Sequence, residues 1–248
     1  MRRAPAGVDL TVYVTAIPLL LRNPSIIVVP LLMGIVGVLV GMALSPSAGG
    51  AIGYASSGLG GLLVRLLQLF GLGVACIIAD DAWRHGRASF ERGWAEAQRR
   101  GGDLLMAGIG ITLIIAVALL AGSLVGALAF GFPFAPLLLA AAALVLLVWA
   151  VPAVAVGGVP GGASIQDSID RVRSNPATAV LTTIVCGLAL YAALRGSAYL
   201  WIWTAPYLGG SLLVYRLIDT LLQAIAFGYI ALIITKTYTD TAFTRRRW

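Results

Sequence analysis

Six long apolar runs, separated by short segments that carry most of the charge, dominate this sequence of 248 residues. The first run, from Pro24 to Leu44, contains no charged residue over 21 positions. At about 1.5 Å of rise per residue, a helix of that length crosses a hydrocarbon core of about 30 Å. Charged residues make up only 11% of the chain, whereas soluble domains carry about 25%. The sequence therefore predicts an integral membrane protein of the all-α class.

The apolar runs and the polar segments between them predict a single membrane domain over residues 1–248. The expected spans are 24–44, 59–79, 103–130, 135–156, 176–194 and 212–235. Short segments with apolar residues at helical spacing precede the first, third and fifth spans, at 7–22, 88–100 and 163–174. We therefore expect six transmembrane helices arranged as three hairpins, each preceded by an amphipathic helix in the cytoplasmic interface.

The stretch from Val151 to Val180 shows every part of this repeat: the end of a span, a glycine break, a short amphipathic segment and the start of a new span. Without gaps, its segment 163–176 aligns with 88–101. The apolar positions of the two segments then share one helix face, and they include Phe90, Trp94, Ile165, Ile169 and Val172. We interpret this face as one that docks on the membrane surface or on a partner protein.

The distribution of basic residues predicts the orientation of the spans. If both termini are cytoplasmic, that side holds 14 of the 17 Lys and Arg residues, all except Arg65, Arg195 and Arg216. Basic residues are concentrated in the cytoplasmic loops of membrane proteins. We expect a multi-pass protein of the cell inner (cytoplasmic) membrane. We attribute its net charge of +7 to this bias and to contact with anionic lipid, and we expect no nucleic-acid partner.

Two segments carry a resemblance to a known group of proteins. The first is GVACIIADDAWRHGRASFERGWAEAQRRGGDLLMAGIG, residues 73–110, and the second is VPAVAVGGVPGGASIQDSIDRVRSNP, residues 151–176. Both are similar to segments of an uncharacterised group of six-span prokaryotic membrane proteins, which is related to the membrane domain attached to some glycerophosphoryl diester phosphodiesterases. The resemblance implies the six-span fold but no activity, because the group has no agreed catalytic residues.

Polar side chains within the apolar runs form the best candidate for a binding site. The predicted anion site consists of Arg65, Arg195, Arg216 and Asp219, with Gln68 and Gln223 nearby in the sequence pattern. Arg216 and Asp219 lie three residues apart and are predicted to pair on one helix face. A charged group in the bilayer centre costs at least ~2.5 kcal/mol, so an excess of arginine favours an anion such as a phospholipid headgroup. The alternative is that each arginine extends separately to the outer interface.

Residues that could carry other chemistry are few. His85 is the single histidine and has no ligand-spaced partner, and Cys76 and Cys186 both lie within apolar runs, where a thiol packs as a small hydrophobic group. Asp80 and Asp81 are interpreted as the ion-paired end of a span. We expect no metal site and no cofactor. A bound phospholipid is compatible with the pattern, and a pigment is left open.

The sequence contains no recognisable catalytic set, has little mass outside the apolar runs, and includes 30 glycines that suit close helix contact. These features favour a non-enzymatic structural or assembly role, as an accessory subunit of a larger inner-membrane complex whose partners are other membrane proteins and lipids. The alternative is a transporter or a protein that binds anionic lipid through the predicted arginine and aspartate site. The position of that site near one membrane surface disfavours transport.

Overall fold

The computed structural model describes residues 9–43, 51–128, 132–207 and 212–245, except for the side chains of 51–59, 212 and 242–245. All regular structure in these ranges is α-helical. The helices are α1 (Thr11–Arg22), α2 (Ser25–Ala43), α3 (Ala51–His85), α4 (Phe90–Arg99), α5 (Gly101–Leu128), α6 (Ala135–Leu147), α7 (Ala150–Ala155), α8 (Gly161–Ser174), α9 (Pro176–Thr204) and α10 (Leu212–Arg245). The prediction of an all-α chain is confirmed for the described residues.

Six helical segments are long and apolar enough to cross a membrane. They are Ser25–Ala43, Gly60–His85, Gly101–Leu128, Ala135–Ala155, Pro176–Thr204 and Leu213–Thr241. The prediction of a multi-pass membrane protein is confirmed at this level of helix length and composition.

Helix α3 exceeds its predicted span of 59–79 at both ends. The connection predicted at 45–58 is helical from residue 51 onward, and residues 44–50 lie outside the described part of the chain. At the other end the predicted ion pair is present, with Arg84 Nε 2.9 Å from Asp80 Oδ2. The helix ends at Gly86, whose φ of 74° lies in the left-handed region that favours glycine.

Helices α9 and α10 also continue past their predicted spans of 176–194 and 212–235. In α9 the predicted stop at Arg195-Gly196-Ser197 lies inside the helix, and the following aromatic residues form its last turns. A glycine inside a helix costs only about 1 kcal/mol relative to alanine. Hydropathy therefore locates the apolar part of each helix, but it does not locate the helix ends.

The fourth predicted span, 135–156, is divided into α6 and α7 by a break at residues 148 and 149. Pro152 has no N–H to donate to the carbonyl of Val148, and its ring clashes with that carbonyl in a regular helix. Ser168 of α8 occupies the gap: its Oγ donates to Leu146 O at 2.8 Å and accepts from Trp149 N at 3.2 Å. The break is therefore hydrogen-bonded on both sides.

The long helices pack as neighbours in one bundle. α2 packs along α3, α5 along α6 and α9 along α10, and α10 also lies against α2 and α3. The short helices α1, α4 and α8 lie at the same end of the bundle, where α1 packs on α10, α4 on α3, and α8 on α5 and α7. We call this end the base, and the opposite end the far end.

The main hydrophobic core lies in the half of the bundle next to the base. Its fully buried side chains include Val74, Ile78, Val154, Leu232 and Ile233, from α3, α7 and α10. Burial is much lower in α5 and α9, where 22% and 17% of the most apolar window is buried inside the chain. The bundle is therefore densely packed at the base, whereas α5 and α9 leave most of their length uncovered.

A polar contact joins the end of α1 to the end of α3. Asn23, which follows α1 and is 4% exposed, donates Nδ2 to Leu19 O at 2.9 Å and to Gly86 O at 3.3 Å. Its Oδ1 accepts a hydrogen bond from Ala88 N at 2.8 Å. One amide side chain therefore satisfies backbone groups on both sides of the turn between α3 and α4.

A second contact of this kind joins the end of α4 to the end of α7. Arg100 donates Nη1 to Val154 O at 3.2 Å and to Ala155 O at 2.9 Å. The last carbonyls of a helix have no partner within the helix, so Arg100 caps α7. Its charge is compensated by Glu96, whose Oε1 accepts from Arg100 Nε at 2.7 Å.

The third contact joins α8 to the end of α10. Arg171 donates Nη1 to Tyr238 O at 3.2 Å, and its guanidinium carbon lies 3.9 Å from the centroid of the Tyr238 ring. Its Nε donates to Asp167 Oδ2 at 2.7 Å. In all three cases, a side chain at or near the end of a short helix bonds to the second candidate span that follows that helix, or to the residue just after that span, near the base.

Candidate functional site

The apolar faces of the short helices lie against the bundle. Phe90 and Trp94 are half-buried, and their rings stack with centroids 6.3 Å apart. Between them Gly93 is buried in contact with Ile78 of α3. The face predicted to dock on a membrane surface or partner therefore attaches α4 to its own chain.

Helix α8 also uses its apolar residues within the chain. Ile165 is half-buried against the main core near Gly110, Ile169 is half-buried, and Val172 is 6% exposed in a smaller core cluster with Trp149. The most buried positions of α8 are small polar ones, including Ser164 and Ser168. The sequence pattern indicated the apolar positions but gave no weight to these serines.

The structure separates the four residues of the predicted anion site. Arg65 is exposed on α3 and has no hydrogen-bond or ion-pair partner among the described residues. Arg195 is exposed on α9, where its Nε donates to Tyr191 Oη of the same helix at 3.0 Å. Arg216 and Asp219 line a cavity, and neither Arg65 nor Arg195 contributes to its walls.

This cavity lies between α2, α3 and α10 and has a volume of about 270 Å³. Its polar lining comes from two helices and consists of Gln68, Arg216, Asp219, Thr220 and Gln223. The wall formed by α2 consists largely of small or apolar residues, including Gly34, Gly37 and Val38. We call it the α2–α3–α10 cavity. Its lining is mostly apolar, but the polar side chains named above are grouped in it.

Asp219 does not pair with Arg216, contrary to the sequence-based prediction; no ion pair within 4.0 Å joins them. Its Oδ1 accepts from Ser197 Oγ of α9 at 2.8 Å, and its Oδ2 accepts from Gln223 Nε2 at 2.7 Å. Helical side chains lean towards the N-terminus, so Arg216 points away from an aspartate that follows it. The order Arg before Asp is therefore unfavourable for pairing.

The polar groups lie at graded depths if Leu213–Thr241 is taken as the span. The middle of that span is at Phe227, so Gln223 is about 6 Å, Asp219 about 12 Å and Arg216 about 16 Å from the midplane along the helix axis. The Arg216 guanidinium has no hydrogen-bond or ion-pair partner among the described residues. The charge of Arg216 in the cavity wall can therefore be met by a ligand, lipid or water.

Sequence reasoning missed two groups that shape the cavity. Ser197 of α9 supplies a hydrogen bond to Asp219 although it lies 22 residues away. The glycines of α2 at 34, 37 and 41 lie near α10 and α3 and line the cavity. The spacing of three and four residues places these glycines on one helix face, so the sequence could have predicted that they face a neighbouring helix. No sequence pattern could have predicted the contact of Ser197 with Asp219.

His85 lies at the base and not in the α2–α3–α10 cavity. Its Nδ1 is 2.8 Å from Asp81 Oδ1, and Arg92 Nη1 approaches the same oxygen at 3.3 Å. Within the described ranges no group of three or more His, Cys, Asp or Glu side chains is placed to hold a metal ion.

Comparison with protein families, curated proteins and solved structures finds no match for this chain. The resemblance to the six-span prokaryotic group therefore stays a prediction.

Proposed function

We propose that this chain is a non-enzymatic protein of the inner membrane that binds an anionic phospholipid headgroup in the α2–α3–α10 cavity. The observation that carries the proposal is the guanidinium of Arg216, which lines the α2–α3–α10 cavity and has no hydrogen-bond or ion-pair partner among the described residues. At about 16 Å from the midplane, Arg216 lies at the edge of a hydrocarbon core about 30 Å thick, which is the level of lipid headgroups. Its guanidinium has no acceptor among the described residues, because Asp219 is already engaged by Ser197 and Gln223. A lipid phosphate supplies one, because guanidinium binds phosphate through paired hydrogen bonds.

Retention of lipid by purified variants tests this function. The protein is reconstituted in vesicles of phosphatidylglycerol and phosphatidylcholine, extracted in mild detergent, and its bound lipid is measured by mass spectrometry. We expect Arg216→Gln to retain about tenfold less phosphatidylglycerol, since a charge-assisted hydrogen bond is lost. Arg195→Gln is the matched control because this arginine is exposed at the same end. Equal retention by the two variants would mean that Arg216 only reaches the membrane interface.

The described contacts also support the finer arrangement proposed for the chain, which is three hairpins of spans, each preceded by an amphipathic helix on the cytoplasmic surface. Asn23, Arg100 and Arg171 each tie such a helix to the second span of its own unit. We place the base in the cytoplasm, since it holds most of the Lys and Arg residues of the described chain.

Labelling of intact cells with a membrane-impermeant thiol reagent tests that orientation. In a background without Cys76 and Cys186, we expect Tyr207→Cys at the far end to react and Arg87→Cys at the base to react only after lysis. Both positions are exposed, and Tyr207 is 88% exposed. The reverse labelling pattern would mean that the base faces the outside and that the proposed orientation is wrong.

A role as an accessory subunit of a larger membrane complex is the second candidate. The observation that favours it is the uncovered face of α9, on which Ile184, Gly187, Leu188 and Tyr191 are exposed. Nothing described lies within 4 Å of the point where a side chain at Gly187 would begin. Small residues on a lipid-facing stripe allow close approach of another helix.

Cross-linking in native membranes distinguishes a helix partner from lipid. In the same cysteine-free background, Gly187→Cys should give one adduct of constant mass, whereas Ala193→Cys, which is 8% exposed against α10, should give none. Monomer alone at both positions would assign the α9 face to lipid.

A further inference from the structure

A second cavity lies at the base, between α4 and the C-terminal ends of α3 and α7, and has a volume of about 520 Å³. One part of its lining is apolar and consists of Ile77, Ala155 and Val156, and much of the remainder carries charges of both signs. We call it the base groove. We propose that it binds a zwitterionic headgroup with one phosphate and one primary ammonium group, as in phosphatidylethanolamine. The proposal does not depend on the α2–α3–α10 cavity.

Two carboxylates of the base groove keep acceptor capacity. Asp80 receives Arg84 Nε on Oδ2 at 2.9 Å, and no described group bonds to its Oδ1. Glu96 Oε1 is bound by Arg100 Nη2 at 2.6 Å, whereas its Oε2 has only Arg99 Nη1 at 3.8 Å. The carboxylate side chains are 20% and 32% exposed, so they are set back from the surface. A primary ammonium, with three donors, can bridge such oxygens.

Three arginines of the same groove keep donor capacity. The side chains of Arg84, Arg92 and Arg99 are 62%, 72% and 81% exposed. Each makes one described ion-pair contact, although a guanidinium carries five N–H donors. The unused donors can receive a phosphate, to which arginine forms short charge-assisted hydrogen bonds. The more exposed arginines and the less exposed carboxylates therefore offer separate places for the two charges of one ligand.

The mixture of charges selects against simpler ligands. A divalent cation at either carboxylate would face the arginine already paired there, and a simple anion would face Asp80, Asp81 and Glu96. A zwitterion places each of its charges opposite a charge of the other sign. The apolar lining adjoins the ends of apolar helices, which suits the glyceride part of a lipid. Free phosphoethanolamine shares the headgroup chemistry but would leave this lining uncovered.

A comparison of lipids on the unmodified protein is the first test. The protein is reconstituted with equimolar phosphatidylethanolamine and phosphatidylcholine, and the retained lipid is measured by mass spectrometry. We expect about tenfold more phosphatidylethanolamine, because a trimethylammonium group cannot donate hydrogen bonds to Asp80 and Glu96. Equal retention would overturn the proposal. Displacement of the lipid by an equimolar amount of free phosphoethanolamine would show that the glyceride part adds no affinity, and would assign the groove to a soluble zwitterion.

Variants then locate the preference in the base groove. Asp80→Asn and Arg99→Ala should each reduce retention of phosphatidylethanolamine severalfold while leaving phosphatidylglycerol bound elsewhere unchanged. The matched control is Arg173→Ala, which removes an exposed arginine from α8 outside the groove. If the control loses as much lipid as Arg99→Ala, the effect is general attraction to a basic surface and the groove is not a site.

Discussion

Two tryptophans show how the base and the far end of the bundle differ. Trp149 at the base is fully buried and donates Nε1 to Thr237 Oγ1 at 3.0 Å, whereas Trp203 near the far end is 76% exposed. Large apolar side chains of α5 and α6 are likewise exposed towards the far end, including Leu124 at 64% and Leu137 at 64%. The buried core is therefore concentrated at the base, although Leu21 of α1 and Met106 of α5 are exposed there at 79% and 60%. The far end has less internal packing and relies more on lipid or on another protein for its covering.

Polar contacts follow the same division. At the base, side chains such as Asn23 and Arg100 bond to backbone groups of other helices. Towards the far end, Ser123 and Thr204 donate to the carbonyl four residues earlier in their own helix. The bond between Ser197 and Asp219 is the contrasting case, since it joins α9 to α10 at the α2–α3–α10 cavity. Side-chain bonds to the backbone of other helices therefore hold the base together, whereas most of the far end lacks such cross-links among the described residues.

The largest difference in stability should be between substitutions of the two tryptophans compared above. Trp149→Ala should lower the free energy of unfolding by about 3–5 kcal/mol, because a fully buried ring is replaced by a cavity. Trp203→Ala should change it by less than about 0.5 kcal/mol. Unfolding in mixed micelles of increasing SDS fraction measures both. Similar losses in the two variants would show that the far end is also packed, by contacts within an oligomer.

A smaller difference in stability is expected between substitutions of two arginines, Arg171 and Arg195, each of which lies over a tyrosine ring. Arg171 and its partner Asp167 have side chains 11% and 16% exposed, so Arg171→Ala leaves a mostly buried carboxylate and should cost about 3 kcal/mol. Arg195 is exposed, and its guanidinium carbon lies 5.3 Å from the centroid of the Tyr191 ring. Arg195→Ala should therefore lower the free energy of unfolding by less than about 1 kcal/mol.

The same unfolding measurement provides a check on the cause. Adding Asp167→Asn to Arg171→Ala should restore part of the lost stability, because the carboxylate that has lost its Arg171 ion pair is then replaced by a neutral amide. If the stability losses of the two substitutions are simply additive, the cost of Arg171→Ala arises from the lost packing of Arg171 on Tyr238.

The smallest of these differences in stability should be between two asparagines, Asn23 and Asn175, each of which directly precedes a proline. Asn23→Ala should cost about 2 kcal/mol, because a buried side chain that satisfies Gly86 O and Ala88 N is removed. Asn175 makes no side-chain hydrogen bond to a described residue, so Asn175→Ala should stay within about 0.5 kcal/mol. Equal losses would indicate that backbone conformation at the two sites, and not the side-chain bonds, sets the stability.

The sequence predicts the number of apolar spans and the all-α class, because burial in lipid imposes a length and a composition on each span. It predicts their ends poorly, since backbone hydrogen bonding continues past the apolar part, as in α3 and α10. The division of the fourth span required knowledge of Ser168, whose hydroxyl reaches Leu146 from α8. A proline at position 152 was visible, but a proline inside an apolar helix is often tolerated.

The candidate site was predictable only in part. Arg216 and Asp219 were selected as polar residues in an apolar span, and both line the cavity. Arg195 was placed with them because of its depth, but it lies two residues from Ser197 and therefore about 160° away around α9. Depth follows from hydropathy, whereas direction depends on which face of each helix meets its neighbour, and that is a property of the assembled bundle.

Three contacts at the base join groups that are well separated in sequence. The separations are 63 residues for Asn23, 55 for Arg100 and 67 for Arg171. Each closes within its own third of the chain, so a polypeptide entering the membrane from its N-terminus can complete one contact before the next third is synthesised. Helix α1 is the exception: Tyr13 bonds through its hydroxyl to Thr182 and through its carbonyl to Tyr229. Helix α1 can therefore complete these contacts only after α9 and α10 have been synthesised.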